Sequence, residues 1–265
     1  MAEGGADSYR AAAAELVRRF LDPVVFIGAV ARAVPTLFTR RGIRWRELGY
    51  YLDLCGARTL PIVLMISLLM GLVLGFQAAI QMVKVGTEIF VVDLVGFSVL
   101  KEFGPLMVAV ICTGRAGSAF AAEIGTMKVN EEISALETMG ISPISYLVMP
   151  KLAALLISMP LLSVFADAAG IFGGLCVGVL TLEIPVAAYW SRTLEVLDPV
   201  TFILGVLKSS AFAVLITFAG CYCGFAASGD AQGVGRGATR AVVMAIFLVV
   251  IADAIITMLY SFIGY

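Results

Sequence analysis

The sequence predicts an all-α membrane protein with an N-terminal interfacial amphipathic helix, five transmembrane helices and one short polar helix on the cytoplasmic side. Three observations predict this fold. Of the 265 residues, 61% are hydrophobic and 14% are charged, whereas a soluble domain is about half apolar and a quarter charged. Five apolar stretches each exceed the roughly 20 residues that a membrane helix needs. Between two of them lies a patterned acidic segment, residues 123–143.

The composition excludes several kinds of chemistry. The formal net charge is −1, so bulk charge predicts no nucleic-acid partner. The chain has no histidine, which removes the usual general base and the commonest metal ligand. Its five cysteines lack the spacing of a zinc set and lie mostly in apolar runs, as small buried hydrophobic residues do. We therefore expect no catalytic residue, no metal site and no cofactor in this chain.

Two segments resemble nucleotide-binding motifs but depart from them. Lys208 follows Leu207, where a phosphate-binding loop requires glycine. The segment GVGRGA, residues 233–238, matches a dinucleotide-binding pattern but follows a membrane helix rather than a strand. We predict that it is a flexible turn before the fifth span, and that this chain does not hydrolyse nucleotide by itself.

Residues 1–50 differ from the rest of the chain. They contain eight arginines, and Leu16, Phe20, Val24 and Ile27 recur at helical spacing. This pattern is typical of an amphipathic helix lying on a membrane surface. A cleaved signal peptide is the alternative, since residues 29–31 imitate a cleavage site. The apolar run before Arg32 is only eight residues long, which favours the interfacial helix.

Five predicted spans follow the interfacial segment. They cover residues 57–82, 94–122, 146–180, 199–227 and 238–263. The third is long enough to tilt, or to break at Pro150 or Pro160. Many glycines within the spans lie four residues apart, a spacing that lets helices approach closely in lipid.

Loop charges predict the orientation of the chain. With the N-terminus in the cytoplasm, thirteen lysines and arginines lie on the cytoplasmic side and three, Lys84, Lys101 and Arg192, lie on the other. Because positive residues concentrate on the cytoplasmic side, we expect residues 123–145 to be cytoplasmic and the C-terminus to lie outside.

The acidic segment has a helical rhythm. Val129, Ile133, Leu136 and Gly140 share one face. Asn130 suits the start of such a helix, and Gly140 suits its end. A short amphipathic helix is marginal alone and needs a surface to pack on. Since this helix is acidic, we predict a cytoplasmic protein partner over residues 126–140, with a plain connector between spans as the alternative.

Several charges lie inside or beside the spans. Arg115, Glu123, Asp167 and Asp253 form a predicted intramembrane polar network. Such charges are costly in lipid and seek partners, so we expect a structural ion pair between Arg115 and one of the acidic residues. A proton or cation relay is the alternative. In the segment LKEFGP, residues 100–105, the adjacent Lys101 and Glu102 either reach the interface without further role or meet a charged ligand head group.

These motifs together resemble the MlaE family, the permease subunit of ABC transporters that work with MCE proteins. The resemblance covers roughly residues 45–265. It depends on LKEFGP, on GATRAVV and above all on GRAGSAFAAEIGTMKVNEEISALETMG, which is long and distinctive.

The resemblance implies a homodimer of five-span subunits in the bacterial inner membrane. Two ATPase subunits, which use ATP and magnesium, dock on cytoplasmic coupling helices, here residues 126–140. A STAS-domain protein binds the ATPase, and a hexameric MCE ring caps the periplasmic side. The implied function is phospholipid movement between the inner and outer membranes, which maintains outer-membrane lipid asymmetry. The transport subunit is not itself an enzyme. The alternatives are an ion- or proton-coupled secondary carrier and a membrane scaffold without cargo.

The resemblance also implies site residues. Those that match lipid-contacting positions are Leu74, Gln81, Met82, Lys101, Glu102, Phe103 and Lys208. Those expected to couple to the ATPase are Thr126, Val129, Glu131, Glu132, Ile133, Leu136, Met139 and Gly140. Leu74, Ala78 and Met82 share one helix face and form a predicted apolar wall for acyl chains. The sequence departs from the family at Lys101, where arginine is usual, and at Val85, where an aromatic is frequent.

Overall fold

The structure, a computed structural model, describes residues 23–35 and 45–263. Five of its helical segments are long and apolar enough to cross a membrane: Trp45–Val85, Phe90–Val129, Ile144–Leu182, Pro199–Phe225 and Ala231–Phe262. These segments confirm the predicted all-α fold with five spans. Four of them extend beyond at least one predicted end, because polar residues at the membrane boundary continue the helices that the apolar runs begin. The fourth begins at the predicted residue and ends two residues earlier than predicted.

The N-terminal region supplies two short helices. Helix α1, Pro23–Ala33, packs on the fourth span through Phe26, whose ring centroid lies 5.6 Å from that of Phe218 and 5.8 Å from that of Tyr222. Helix α2, Trp45–Leu52, buries Leu48 and Tyr51. The predicted interfacial helix therefore has an apolar, bundle-facing part in α1, whereas Leu16 and Phe20 lie outside the described residues.

The first two spans differ in regularity. A π-helical turn, Asp53–Ala57, leads into α3, Leu60–Val85. The second span consists of α4, Phe90–Ser98, a π-helical turn at Val99–Phe103, α5, Gly104–Cys112, a second π-helical turn at Thr113–Gly117, and α6, Ser118–Val129. Each π-helical turn adds a residue to the helix and shifts the side chains that follow around its axis. The motifs LKEFGP and GRAGS occupy these two turns.

The third span does not break at its prolines. A π-helical turn, Ile144–Val148, precedes α8, Met149–Leu182, which runs without interruption through Pro160. Pro150 lies in the first turn of α8, where its missing N–H costs no hydrogen bond. The predicted break is therefore wrong at both positions.

A helix that the sequence did not predict follows on the same side as the C-terminus of α8. Helix α9, Val186–Val196, is held to α4 by Arg192, whose Nη2 donates to Asp93 Oδ2 at 2.6 Å. The hydrogen bonds to Asp93 raise the pKa of the Arg192 guanidinium. The pair stays charged and fastens the α8–α10 connection onto the bundle.

The last two spans are α10, Pro199–Phe225, and α11, Ala231–Ile263. Helix α11 includes residues 233–238, so the predicted flexible turn there is wrong. Asp230 explains the difference: its Oδ1 accepts a hydrogen bond from Gly233 N at 2.7 Å and satisfies a donor that a helix start leaves free. The Asp230 cap stabilises the first turn of α11, so the glycine-containing segment 233–238 is helical.

Helices α3 and α8 form the tightest contact in the bundle. A Cβ placed on Gly71 would overlap the carbonyl oxygen of Gly170, and one on Gly173 would overlap the carbonyl oxygen of Leu68. The two backbones therefore touch, which is how membrane helices gain packing without a hydrophobic driving force.

This contact makes a testable prediction. Gly71→Ala should lower the free energy of unfolding by about 1–3 kcal/mol, because the added methyl group must push α8 away. Thermal unfolding of the purified protein in lipid nanodiscs measures the change. Gly114→Ala is the matched control, since a Cβ there meets nothing within 4 Å. Equal stability of the two variants would contradict the close contact.

Candidate functional site

A buried lysine organises the outer half of the bundle, the half that carries Lys84 and Arg192. The side chain of Lys208 on α10 is completely buried, and its Nζ lies 2.7 Å from Glu102 Oε2 and 2.6 Å from Asp253 Oδ1. Lys208 also donates to Thr257 Oγ1 at 3.0 Å, and Thr257 in turn donates to Glu102 Oε1 at 2.8 Å. We call Glu102, Lys208, Asp253 and Thr257 the outer cluster.

The outer cluster joins three elements. Glu102 lies on the Val99–Phe103 turn, Lys208 on α10, and Asp253 on α11. Lys208 Nζ also donates to the backbone carbonyl of Lys101 at 3.1 Å. Pro105, four residues later, has no N–H to offer that carbonyl. The proline of the LKEFGP motif thus leaves the Lys101 carbonyl free to accept a hydrogen bond from Lys208. The Lys208 ammonium group is shared among two carboxylates, this carbonyl and the Thr257 hydroxyl.

Unlike Lys208, Lys101 has no carboxylate paired with its ammonium group among the described residues. Its Nζ lies 5.4 Å from the centroid of the Phe97 ring, and it forms no ion pair with any described residue. The side chain is half-exposed. Phe103, on the same turn, lines a small cavity of about 10 Å³ between the turn, α3 and α8. The turn therefore presents an unpaired ammonium group beside apolar surface.

The predicted lipid-contacting residues of α3 lie apart from the outer cluster. Leu74 and Met82 pack with Ala78 against Val91 and Val95 of α4. Gln81 is exposed. Within the described protomer, the face predicted as an open apolar wall is therefore largely covered by α4. Sequence spacing placed these side chains on one face correctly, but it did not show that a neighbouring helix packs on that face.

A second buried lysine lies in the inner half of the bundle. Lys151 on α8 is fully buried, and its Nζ donates to Tyr51 Oη at 2.7 Å and to Glu123 Oε1 at 3.1 Å. Tyr51 also donates to Glu123 Oε1 at 2.6 Å. This inner cluster connects α2, α6 and α8. Lys151 is therefore buried within the helix bundle and is not one of the exposed loop charges with which it was counted.

The predicted intramembrane network is thus wrong in its pairing. Glu123 pairs with Lys151, and Asp253 pairs with Lys208. Arg115 and Asp167 make no ion pair with the residues that the structure describes. The signal for the true partners was present in the sequence, because Lys151 and Lys208 both lie within predicted apolar spans, where a charge needs an acidic partner.

The acidic segment, residues 123–143, is not one helix. Helix α6 continues the second span to Val129, the chain turns at Asn130, and α7 covers only Glu132–Thr138. Glu131 adopts a left-handed backbone conformation with φ of 59°, which breaks the predicted helix over 126–140. Asn130 does not cap α7; it donates to Glu132 Oε1 at 3.3 Å instead. Gly140, with φ of 72°, follows the end of α7, in agreement with the predicted helix end.

Helix α7 is anchored on one side and open on the other. Leu136 is buried and Ile133 packs on the main core. Lys128 holds the end of α6 against the end of α10 by donating to the carbonyls of Phe225 at 2.6 Å and Ala227 at 2.9 Å. The remaining predicted coupling residues are mostly exposed: Thr126, Glu131, Glu132, Met139 and Gly140, with Val129 half-buried. The open face is acidic with one exposed methionine.

The protein has five candidate spans with ion pairs buried between them and an exposed acidic helix. These features are those of a multi-pass membrane protein, and comparison with known proteins assigns it to the permeases. The sequence profile of the MlaE permease family matches residues 49–259. The protein belongs to this family, which confirms the resemblance seen in its motifs.

Individual relatives agree with this assignment. A probable ABC transporter permease protein of Rickettsia conorii is 38% identical over 205 residues, which is 77% of this chain and 79% of that protein. The intermembrane phospholipid transport system permease protein MlaE of Haemophilus influenzae is 36% identical over 203 residues, 76% of this chain and 78% of the relative. The chloroplastic protein TRIGALACTOSYLDIACYLGLYCEROL 1 of Arabidopsis thaliana is 28% identical over 215 residues, 81% of this chain and 61% of the relative.

Proposed function

We propose that this protein is the membrane permease subunit of an ABC transporter that moves phospholipid between the inner and outer membranes and so maintains the lipid asymmetry of the outer membrane. The observation that carries the proposal is the similarity to the Haemophilus protein, whose name describes intermembrane phospholipid transport and which aligns over about three quarters of both chains. The buried charges and long apolar helices suit a protein that handles an amphipathic molecule in lipid.

The geometry favours Lys101 as the contact for the lipid head group. A phosphate needs a cation whose charge is not already compensated. Lys208 has its ammonium group surrounded by two carboxylates, a hydroxyl and a carbonyl, whereas Lys101 faces only an aromatic ring. Glu102 and Lys208 then act by holding the turn in place. Phe103 and the outer ends of α3 and α4 provide apolar surface for the acyl chains.

The proposed complex has several partners. Two copies of this chain form the membrane core, and α11 suits such an interface because it is the least covered of the five spans within the protomer. Two ATPase subunits, which use ATP and magnesium, dock on the open face of α7. A STAS-domain protein on the ATPase and a hexameric MCE protein on the periplasmic side complete the assembly. The acidic character of α7 supports a partner with a basic docking surface.

We place the protein in the bacterial inner membrane with its N-terminus in the cytoplasm and its C-terminus in the periplasm. Removing the buried Lys151 from the loop charges leaves twelve positive residues on the cytoplasmic side against three on the other. That asymmetry supports the same orientation as before. In this orientation α7 faces the cytoplasm and Lys101 faces the periplasm.

One experiment separates this function from its alternatives. The chain is affinity-purified from its own organism in mild detergent, and the associated proteins and lipids are identified by mass spectrometry. We expect a nucleotide-hydrolysing subunit and phospholipid to copurify. Absence of the ATPase would favour a secondary carrier, and absence of phospholipid would favour a scaffold without cargo. Either absence, repeated in nanodiscs, would overturn the proposal.

The lipid contact makes a quantitative prediction. Lys101→Gln should weaken phospholipid capture by the complex about tenfold, because one charge-assisted contact to phosphate contributes roughly 1.5 kcal/mol. Crosslinking from a photoreactive group at residue 103 to radiolabelled phospholipid measures capture. Lys84→Gln is the control, since Lys84 is also exposed in the outer half but lies at the end of α3. Equal losses in both variants would assign the effect to surface charge.

A further inference from the structure

Among the described residues, Asp167 is a buried carboxylate without an ion pair. It lies in the middle of α8 and is only 4% exposed. Its Oδ1 is enclosed and accepts no hydrogen bond from any described residue, and neither of its oxygens forms an ion pair there. The same oxygen reaches the backbone of Gly104, where an added Cβ would overlap it. The side chain is therefore packed against the start of α5 rather than turned towards solvent.

The surroundings of Asp167 are mostly apolar and include two buried hydroxyl groups. Ser163, one helical turn earlier on α8, and Ser67 on α3 are also buried, and neither hydroxyl has a partner among the described residues. Ser67 and Gly104 line the same small cavity as Phe103. We call Ser67, Ser163, Asp167 and Gly104 the junction, since it lies where α3, α8 and the Val99–Phe103 turn meet.

No cation among the described residues forms an ion pair with this carboxylate. Helix α5 and the middle of α3 carry no charged residue. On the turn, Lys101 faces the Phe97 ring, and Glu102 is bound to Lys208. On the neighbouring helices, Lys208 is paired with Asp253 and Asp93 with Arg192, and Lys84 lies in the last turn of α3, far along the helix from Ser67.

An isolated carboxylate is very unfavourable in such a place. Moving an unpaired charge from water into an apolar interior costs far more than burying a neutral polar group, so a buried acid without a cation takes up a proton. A neutral carboxylic acid avoids this cost of burying a charge. The hydroxyls of Ser67 and Ser163 are buried as well but form no hydrogen bond with Asp167.

We propose that Asp167 is a proton-binding site, held as the neutral carboxylic acid while the junction is closed. Losing the proton would place a negative charge against Gly104 and the apolar residues around it. Relief requires water to enter, and this separates α8 from the turn. Proton binding at Asp167 therefore stabilises the closed junction, and proton release opens it.

The consequence for transport rests on the proposed function. Gly104 directly follows Lys101, Glu102 and Phe103 in the chain, so a change at the junction moves the turn that carries the proposed head-group contact. Proton binding would then set how readily the turn accepts lipid. The proton site itself depends only on the packing of this chain.

Infrared spectroscopy of the purified protein in nanodiscs tests the proton site directly. At neutral pH we expect a carbonyl stretching band of a protonated carboxylic acid, which Asp167→Asn removes and Glu88→Gln, at an exposed position, retains. Wild-type protein labelled with [4-¹³C]aspartate should show the band shifted, so the assignment to an aspartate does not depend on a variant that folds. A wild-type spectrum without this band, or an unchanged band in Asp167→Asn, would overturn the proposal.

Hydrogen–deuterium exchange tests the opening of the junction. As the pH rises, exchange in residues 99–104 should increase several-fold more in the wild type than in Asp167→Asn, which has no proton to lose. Identical pH profiles in the two proteins would show that the junction does not respond to a proton. Neither measurement depends on lipid transport or on an ATPase, so its failure leaves the proposed function untouched, and failure of the proposed function leaves the proton site intact.

Discussion

Lys208→Met is expected to lower the free energy of unfolding by about 3 kcal/mol. The substitution preserves much of the side chain's volume but leaves two carboxylates, Glu102 and Asp253, facing each other without their cation. Removing one partner of a buried ion pair costs roughly 3–5 kcal/mol. We expect the lower end of that range, because the side chains of Glu102 and Asp253 keep exposed fractions of 32% and 18%. Unfolding of the purified protein in nanodiscs or mixed micelles measures the change.

Neutralising the partners separates charge from packing. In the variant that combines Lys208→Met with Glu102→Gln and Asp253→Asn, most of the lost stability should return, since no uncompensated charge remains. Lys101→Met is the control for removing a lysine from the same region, three positions before Gly104, and it should change stability by no more than about 0.5 kcal/mol. If Lys208→Met alone is as stable as Lys101→Met, the outer cluster does not hold the three elements together.

Reversing the charge at both Glu131 and Glu132 is expected to weaken binding of the proposed ATPase partner about 100-fold or more. Both side chains are exposed, so the change should leave the spans folded. At the docking surface, however, it would bring like charges together, which costs several kcal/mol. Pull-down of the ATPase with the purified double variant, Glu131→Lys with Glu132→Lys, measures the loss, and thermal unfolding of the isolated permease checks its fold.

The chain provides a matched control on the other side of the membrane. Glu183 has a left-handed backbone conformation like that of Glu131, with φ of 55° against 59°, and it lies at the opposite end of the bundle after α8. Glu183→Lys with Glu195→Lys should therefore leave ATPase binding unchanged while altering net charge equally. A double variant of α7 that still binds the ATPase at wild-type strength would refute the proposed role of this helix.

Some features of the site follow from the sequence because they depend on residue type and local spacing. Lys208 and Lys151 are charges inside apolar runs, so each demands a partner in the bundle. Gly140 ends α7 as its lack of a side chain suggests. The partners of these residues could not be predicted, because Lys208 lies 106 positions from Glu102 and Lys151 lies 100 positions from Tyr51. Nothing local relates residues at such separations.

Residue spacing alone did not predict where helices end or which of their faces are covered, because contacts between distant segments decide both. The spacing of Val129, Ile133 and Leu136 by four and then three residues is that of one continuous helix, yet the chain turns at Glu131. The span must end there, and the buried Leu136 must return to the core. Helix α4 packs against the apolar face of Leu74 and Met82 within the protomer, and the contact of these two partly exposed side chains with lipid stays a prediction. An amphipathic pattern predicts that one helix face will be buried, but it does not identify the helix, lipid or partner that buries it.

By itself, the sequence determined the membrane fold, the number of spans and the family, since these depend on the length and polarity of continuous segments and on motifs read in order. Only the tertiary structure decided which charges pair, where the second span changes its helical register and which carboxylate is left without a cation. Those outcomes depend on contacts between helices distant in the chain. In lipid, the cost of an unpaired charge makes such contacts decisive.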